Sequence, residues 1–143
     1  MKKTILFLTA ICFCLVACLV LSAQEEAIGV IVNKANSLTS INARILRNIY
    51  MGKQTIWPDN KAIVVAILRE GKIHDKFLKT IVQQNASQFS LYWKNQTFTG
   101  TGVAPKIFDT DAEIKAFVKD NPGSIGYVAL SSVDDTVKKL PVM

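Results

Sequence analysis

The chain has 143 residues, 50% of them hydrophobic and 20% charged, with 7 Gly and 4 Pro, which fits one globular domain at most. Its 17 Lys and Arg against 11 Asp and Glu give a formal net charge of +6. The basic residues are scattered instead of clustered, which argues against nucleic-acid binding. No internal repeat or low-complexity segment is present in the sequence.

The N-terminus has the pattern of an export signal. Lys2 and Lys3 precede an apolar run over residues 5–21, and small residues follow it before a polar stretch. The run falls short of the ~20 residues that a membrane span needs. We therefore expect cleavage after Ala23, so that residues 1–23 form a signal peptide and residues 24–143 form one exported domain.

A second interpretation of this segment stays open. Residues 15–18, Leu-Val-Ala-Cys, have the form of a lipobox, in which Cys18 would carry a lipid and become the N-terminus. Soluble export is favoured because the apolar run continues beyond Cys18. Cys12, Cys14 and Cys18 all lie in the predicted signal peptide, so the exported domain is expected to depend on a packed core and not on disulfides.

The exported part begins with a strand and a helix. Residues 27–33 have the continuous apolar composition of a buried strand. A helix follows, ends at Gly52, and can be capped by Ser37, Thr39 or Ser40. Helical spacing predicts that its core face consists of Ile41, Ile45, Leu46, Ile49 and Tyr50.

A second strand over residues 62–68 leads through a tight loop into a second helix. The apolar positions of this helix recur at helical spacing, namely Ile73, Phe77, Leu78, Ile81 and Val82. A further helical segment covers residues 87–94. Residues 97–106 contain two Gly and one Pro, and we expect them to form an ordered loop.

The sequence pattern of the last third of the chain predicts one more helix and two strands. Residues 109–111, Asp-Thr-Asp, cap the helix, and residues 121–123, Asn-Pro-Gly, end it. A strand follows over residues 124–130, and residues 137–142 form an edge strand. Because strands alternate with helices, the predicted fold is a three-layer α/β sandwich with helices on both faces of a central sheet.

The sequence contains no recognisable catalytic or metal-binding constellation, so we expect a non-enzyme without a cofactor. His74 is the single histidine and has no cysteine or second histidine at metal-ligand spacing. Since the adjacent Asp75 faces elsewhere on a helix, we expect His74 to be a surface residue near a helix start. Asp109, Asp111 and Glu113 lack the glycine and distal glutamate of a calcium loop and are assigned to helix capping.

The loop of residues 69–72, Arg-Glu-Gly-Lys, is the strongest candidate for a binding site. It lies where a buried strand ends and a helix begins, and ligands of α/β folds bind at such ends. Helix N-termini offer N–H groups and a positive dipole to anions. Arg69 and Lys72 add formal charge, and Gly71 lets a ligand approach the backbone. The pattern predicts an anion site at Arg69, Gly71 and Lys72, and an ordinary basic loop is the alternative.

Several segments also match a known family pattern. The most specific is residues 121–128, Asn-Pro-Gly-Ser-Ile-Gly-Tyr-Val, and the second is Gly52-Lys53 followed by Trp57-Pro58-Asp59. Residues 30–33 and 63–69 agree as well. Together these segments resemble the PstS-like phosphate-binding proteins of ABC transporters, which are periplasmic solute-binding proteins, and in particular their short members.

The resemblance implies one lobe of a periplasmic binding protein, with a mixed central sheet. It also implies binding of phosphate or a similar oxyanion in ABC-type transport, with a membrane permease as the partner. The family's anion loop has Arg, an acidic residue and then Ser-Gly-Thr at the helix start. Arg69 matches that Arg, but residues 71–74, Gly-Lys-Ile-His, form a shorter loop without Ser-Gly-Thr. Because the hydroxyl donors are absent, we expect weak, salt-sensitive binding.

Two further expectations concern protein partners. An envelope interaction or scaffold module that keeps the lobe fold but has lost ligand binding is the alternative function, with the loop of residues 92–106 as its contact surface. A face that evolved against another lobe could also pair with a second copy, which predicts a homodimer.

Gly126, inside the most specific segment, is expected to be structural. A glycine within a strand removes a side chain where a neighbouring group packs closely.

Overall fold

A mixed five-stranded sheet forms the centre of the part of the chain that the computed structural model describes, residues 25–143. Its strands are β1 (Ile28–Val32), β2 (Val64–Leu68), β3 (Lys106–Phe108), β4 (Ser124–Ala129) and β5 (Lys138–Lys139). The predicted signal peptide, with the lipobox and Cys12, Cys14 and Cys18, lies outside the described residues.

The strand order is β3-β2-β4-β1-β5. β2 pairs in parallel with β3 and β4, whereas β1 pairs antiparallel with β4 and β5. All six residues of β4 are buried, since this central strand is covered on both faces. β2 lies between the central strand β4 and the edge strand β3. Residues 69–72, called the Arg69 loop below, follow the carboxyl end of β2.

Four α-helices cover the sheet: α1 (Ala43–Tyr50), α2 (Lys72–Phe77), α3 (Ala86–Phe98) and α4 (Asp111–Asp120). α2 continues as a π-helix over Leu78–Val82, which ends at Gln83 in the left-handed conformation. Two neighbouring residues of β4 face opposite sides of the sheet. Gly126 faces α4, and Tyr127 packs against α1 and α2. The predicted three-layer α/β sandwich with a mixed sheet is confirmed.

The first helix begins later than the sequence predicts. Asn42 caps α1, and its side chain accepts a hydrogen bond from the Arg44 backbone N–H. None of the three predicted caps is used, namely Ser37, Thr39 and Ser40. The expectation that Ile45 faces the core is also wrong, because the buried face of α1 is formed by Leu46, Ile49 and Tyr50.

The predicted loop of residues 97–106 is shorter than expected at both ends. α3 extends to Phe98, and β3 starts at Lys106. β3 has three residues and pairs with β2, with Ile107 opposite Ile67. Such a short strand carries no periodic signal of its own, since its partner lies about forty positions earlier in the sequence.

Gly126 lies where α4 approaches the sheet most closely. A Cβ atom added to Gly126 would lie 2.6 Å from Cγ2 of Ile114 and 3.4 Å from Cγ2 of Val118. Ile114 and Val118 are fully buried residues of α4, so neither has empty space to move into. The glycine is therefore a packing requirement of the α4 side of the sheet.

We predict that Gly126→Val lowers the free energy of unfolding by about 1–3 kcal/mol, because the added side chain overpacks the α4 interface. Urea denaturation monitored by circular dichroism measures the change. Gly126→Ala places one methyl group in the same contact and is expected to fall between the wild type and the valine variant. An unchanged unfolding midpoint for Gly126→Val would contradict the structural role.

Candidate functional site

The Arg69 loop joins the carboxyl end of β2 to the start of α2, as the sequence predicts. Gly71 is the residue that precedes α2, and its φ of 112° lies in a region that glycine adopts without strain. A Cβ atom added there would meet no other atom within 4 Å. The backbone at the start of α2 is thus open to an approaching molecule.

The start of α2 differs from the starts of the other helices in the described residues. Asn42, Asn85 and Thr110 cap α1, α3 and α4 with side-chain hydrogen bonds. Gly71 has no side chain, and no side-chain hydrogen bond caps α2 within residues 25–143. The first N–H groups of α2 therefore keep the hydrogen-bonding capacity that the other helices spend on their caps.

A shallow pocket of about 260 Å³ lies at this helix start. Gly71, Lys72 and Ile73 line it, together with carboxylates of four residues, Glu26, Glu70, Asp109 and Asp111. Lys72 is the cation that the described residues contribute to this lining. The backbone favours an anion at this pocket, whereas the surrounding carboxylates repel one.

Arg69 does not line this pocket but pairs with Asp109, which does. Its Nε donates a hydrogen bond to Asp109 Oδ1 over 2.6 Å, and both side chains are more than half exposed. The carboxylate of Asp109 raises the pKa of Arg69. The structure therefore brings Gly71 and Lys72 together at the pocket and holds Arg69 beside it in an exposed ion pair. Asp109 lies 40 positions later in the chain, and its sequence pattern predicts helix capping alone.

The expectation that His74 lies at the surface is wrong. The residue is 4% exposed, and its Nδ1 lies 2.6 Å from the hydroxyl oxygen of Tyr127. α2 turns Ile73, His74 and Phe77 toward the core, and the Tyr127 hydroxyl satisfies the buried imidazole. The spacing of His74 from Phe77 and Leu78 matches a buried helix face and is the signal that could have identified this position.

Burial determines the protonation states of His74 and Tyr127. It lowers the pKa of His74, an effect that the nearby Asp75 carboxylate partly opposes. Burial also raises the pKa of Tyr127 well above its ordinary value. At neutral pH both groups are therefore uncharged, and their hydrogen bond fixes α2 against β4. The pair positions the loop and adds no charge to the pocket.

The described residues contain no group of three or more His, Cys, Asp or Glu side chains that could hold a metal ion. None of the helices within residues 25–143 has the length and apolar character that crossing a bilayer requires.

Solved structures identify the class of protein that has this architecture. A protein from Clostridium perfringens, described as a phosphate ABC transporter substrate-binding protein and solved with bound phosphate, is 27% identical with a TM-score of 0.65. An ABC-type phosphate transport receptor from Vibrio cholerae is 20% identical with a TM-score of 0.56. PstS from Borrelia burgdorferi is 15% identical with a TM-score of 0.62. No protein-family model and no curated protein sequence matches the chain.

The matches cover 82% of this chain and 45%, 46% and 47% of those three proteins, in the same order. The chain thus spans less than half the length of the solved structures it matches. The described residues have the fold of one lobe of a PstS-type substrate-binding protein, and the resemblance found in the sequence is confirmed.

We predict that the pKa of His74 is below its ordinary value of 6.5 and that stability depends on pH accordingly. Because the unfolded chain binds this proton near pH 6.5 and the folded chain only at lower pH, the contribution to stability is complete above pH 6.5. It decreases as the pH falls from 6.5 through the lowered folded-state pKa. His74 is the single histidine, so one NMR imidazole resonance reports its titration directly.

Urea denaturation at several pH values between 7.5 and 5 tests the consequence for stability. His74→Phe removes the titrating group and should flatten this part of the pH dependence, whereas Tyr127→Phe keeps the histidine and should retain a slope. A histidine titrating at or above pH 6.5 in the folded protein would show that the ring is not desolvated.

Proposed function

We propose that the chain is an exported, periplasmic solute-binding-like protein that binds phosphate or a similar oxyanion weakly, in connection with ABC-type transport. The anion site is formed by Arg69, Gly71 and Lys72. The backbone at the start of α2 donates hydrogen bonds, Lys72 supplies charge, and Arg69 approaches from the side by exchanging part of its contact with Asp109.

The observation that most supports this proposal is the fold match to the Clostridium perfringens protein, which was solved with bound phosphate. The open, side-chain-free start of α2 at the carboxyl end of β2 supports it independently, because this is where α/β folds bind ligands. The fold and the local geometry thus favour the same class of ligand.

The charges around the pocket support weak binding. Four acidic residues line a pocket that contains one lysine, and an exposed anion would be screened by salt within about 10 Å. Only a ligand that gains several backbone hydrogen bonds can offset that repulsion. A tetrahedral oxyanion suits such a site because it carries several acceptor oxygens.

The remaining parts of the proposal concern export and assembly. Residues 1–23 act as a signal peptide, with lipidation at Cys18 as the alternative, and the domain of residues 24–143 acts in the periplasm. The protein is not an enzyme and needs no cofactor. Its partner in transport is a membrane permease, and a homodimer is the assembly that an exposed lobe face favours.

Isothermal calorimetry with phosphate and with sulfate tests the anion site. We predict binding with a Kd in the millimolar range or somewhat below at low salt, about −4 kcal/mol or slightly stronger. Lys72→Ala and Arg69→Ala are each expected to weaken it severalfold, and raising the salt concentration should weaken it further. Lys119→Ala, an exposed lysine on α4, removes the same charge far from the loop and serves as the control.

An absence of heat at millimolar phosphate and sulfate would contradict the proposal and favour the envelope interaction module. Equal binding by the wild type and by Lys72→Ala and Arg69→Ala would show that any anion binds elsewhere.

We also predict that Asp109→Asn strengthens phosphate binding about two- to fivefold at low salt. The substitution removes a carboxylate from the pocket and releases Arg69 from its ion pair. Asp120→Asn makes the same change of net charge at the exposed end of α4 and should have little effect. Calorimetry at fixed ionic strength compares the two, and identical affinities would show that the Arg69–Asp109 pair does not limit binding.

A further inference from the structure

A groove of about 920 Å³ lies between α3 and the β2–β3 edge of the sheet, beside the anion pocket. Its floor includes Ile67 and Ile107, which lie opposite each other in the β2–β3 pair and share one face of the sheet. Leu91 and Phe98 of α3 form part of its wall. The groove is therefore mainly apolar.

Within residues 25–143, the side-chain hydrogen bonds that α3 donates to another element go to the end of α1 and not to the strands. Trp93 Nε1 donates a hydrogen bond to the Tyr50 carbonyl oxygen over 3.2 Å, and Tyr92 donates its hydroxyl to the Met51 carbonyl over 2.7 Å. On the opposite face of the sheet, α4 packs directly on the strands. The β2–β3 edge is thus covered on the α4 side and uncovered on the α3 side.

Large apolar side chains are unusually exposed at this groove. Phe98 is 94% exposed, Leu91 59% and Ile107 52%, and the adjacent Val103 is 92% exposed. Single exposed apolar residues are ordinary, whereas a group of them around a concave surface marks a binding site.

One face of α3 supplies both the apolar and the polar groups of the wall. Its groove-lining residues recur every three or four positions, namely Ser87, Ser90, Leu91, Lys94, Thr97 and Phe98. Lys94 lies between Leu91 and Phe98 on this face and forms no ion pair within residues 25–143. A cationic residue thus lies between the two large apolar side chains of this wall.

The charges of the groove are of one sign. Arg69 and Lys94 are the formally charged residues that line it, and no carboxylate of the described residues does. Arg69 uses its Nε for Asp109, so its two terminal nitrogens can still donate. An apolar groove with cations only is complementary to a molecule that has an apolar body and an anionic end.

The same charges disfavour a second copy of the chain as the occupant of this groove. A two-fold interface would bring the Arg69 and Lys94 of one copy toward those of the other. An added peptide strand would also gain little from β3. The Phe108 carbonyl already accepts from the Arg69 N–H, so in this three-residue strand Ile107 alone directs its N–H and C=O to the open side. These features favour a small molecule over a macromolecule.

We propose that this groove binds a single-chain anionic amphiphile, with the alkyl chain on Ile107, Leu91 and Phe98 and a carboxylate head held by Lys94 and Arg69. The groove follows α3 from Ser87 to Thr97, which is about 15 Å at the rise of an α-helix. An extended twelve-carbon chain has a comparable length. This activity is separate from the proposed oxyanion binding, although Arg69 contributes to both proposed sites.

Calorimetry with dodecanoate, kept below its micelle concentration, tests the apolar part of the groove. Leu91→Ser is expected to raise the Kd about tenfold, because an alkyl contact is replaced by a polar group. Ile56→Ser is the matched control, since Ile56 is 54% exposed and lies outside the groove. Thermal unfolding of both variants shows whether either substitution affects folding.

The role of charge in the groove is tested with the variant Lys94→Glu and with an uncharged ligand. Lys94→Glu should raise the Kd for dodecanoate about tenfold at low salt, whereas Lys119→Glu on α4 should leave it unchanged. Dodecyl maltoside, which has the same chain and no charge, should bind more weakly than dodecanoate to the wild type and should not distinguish wild type from Lys94→Glu.

Inorganic phosphate separates this proposal from the proposed function. Lys72→Ala should weaken phosphate binding and leave dodecanoate binding intact, and Leu91→Ser should do the reverse. If phosphate fails to bind while dodecanoate binds in the groove, the proposed function fails and this inference stands.

Four results would overturn the inference. They are an absence of dodecanoate binding, equal binding by Leu91→Ser and Ile56→Ser, binding to vesicles of anionic phospholipid but not to monomeric dodecanoate, and a dimer in light scattering that Leu91→Ser dissociates without any dodecanoate binding. The last would identify the groove as an interface between copies.

Discussion

The position of the candidate site depends on one buried aromatic cluster around Tyr127. The Tyr127 ring stacks on the Phe77 ring with centroids 3.9 Å apart. The centroids of the Phe77 and Tyr50 rings lie 4.6 Å apart, with the rings edge to face. The hydroxyl of Tyr127 cannot remain unpaired in a core, and His74 satisfies it. Because His74 and Phe77 are both in α2, this cluster fixes the orientation of the short helix on β4. The start of α2, with its uncapped backbone, is placed as a consequence.

On the opposite face of β4, a glycine allows a helix to pack closely on the strand. Gly126 lets α4 approach to the point where Ile114 and Val118 fill the space that a Cβ would need. Aromatic rings on one face and a glycine on the other give the central strand two different interfaces, each matched to its helix layer. Tight packing over β4 contrasts with the open groove at the β2–β3 edge, where α3 is hydrogen-bonded to the end of α1. A rigid centre and an open edge are the arrangement in which binding surfaces commonly occur.

Arg69 connects the two surfaces of this edge. It follows the last residue of β2, its Nε pairs with Asp109 at the end of β3, and it lines the apolar groove while standing beside the α2 pocket. An exposed ion pair of this kind contributes little to stability, so exchanging it for a ligand costs little. In the proposed anion site the carboxylates around the pocket oppose binding, whereas the groove, which no carboxylate of residues 25–143 lines, is complementary to a different class of anion.

Local patterns in the sequence determined much of this protein. The apolar runs of β1, β2 and β4, the helical spacing of α2, the strand-loop-helix position of residues 69–72 and the close packing at Gly126 all follow from residues near one another in the chain. Tertiary structure alone decided the burial of His74 by Tyr127, 53 positions away, the pairing of Arg69 with Asp109, 40 positions away, and the existence of β3. The physical reason is the same in each case. A histidine, an arginine or a three-residue strand has no strong local preference, so its state is set by the partner that the folded chain brings to it.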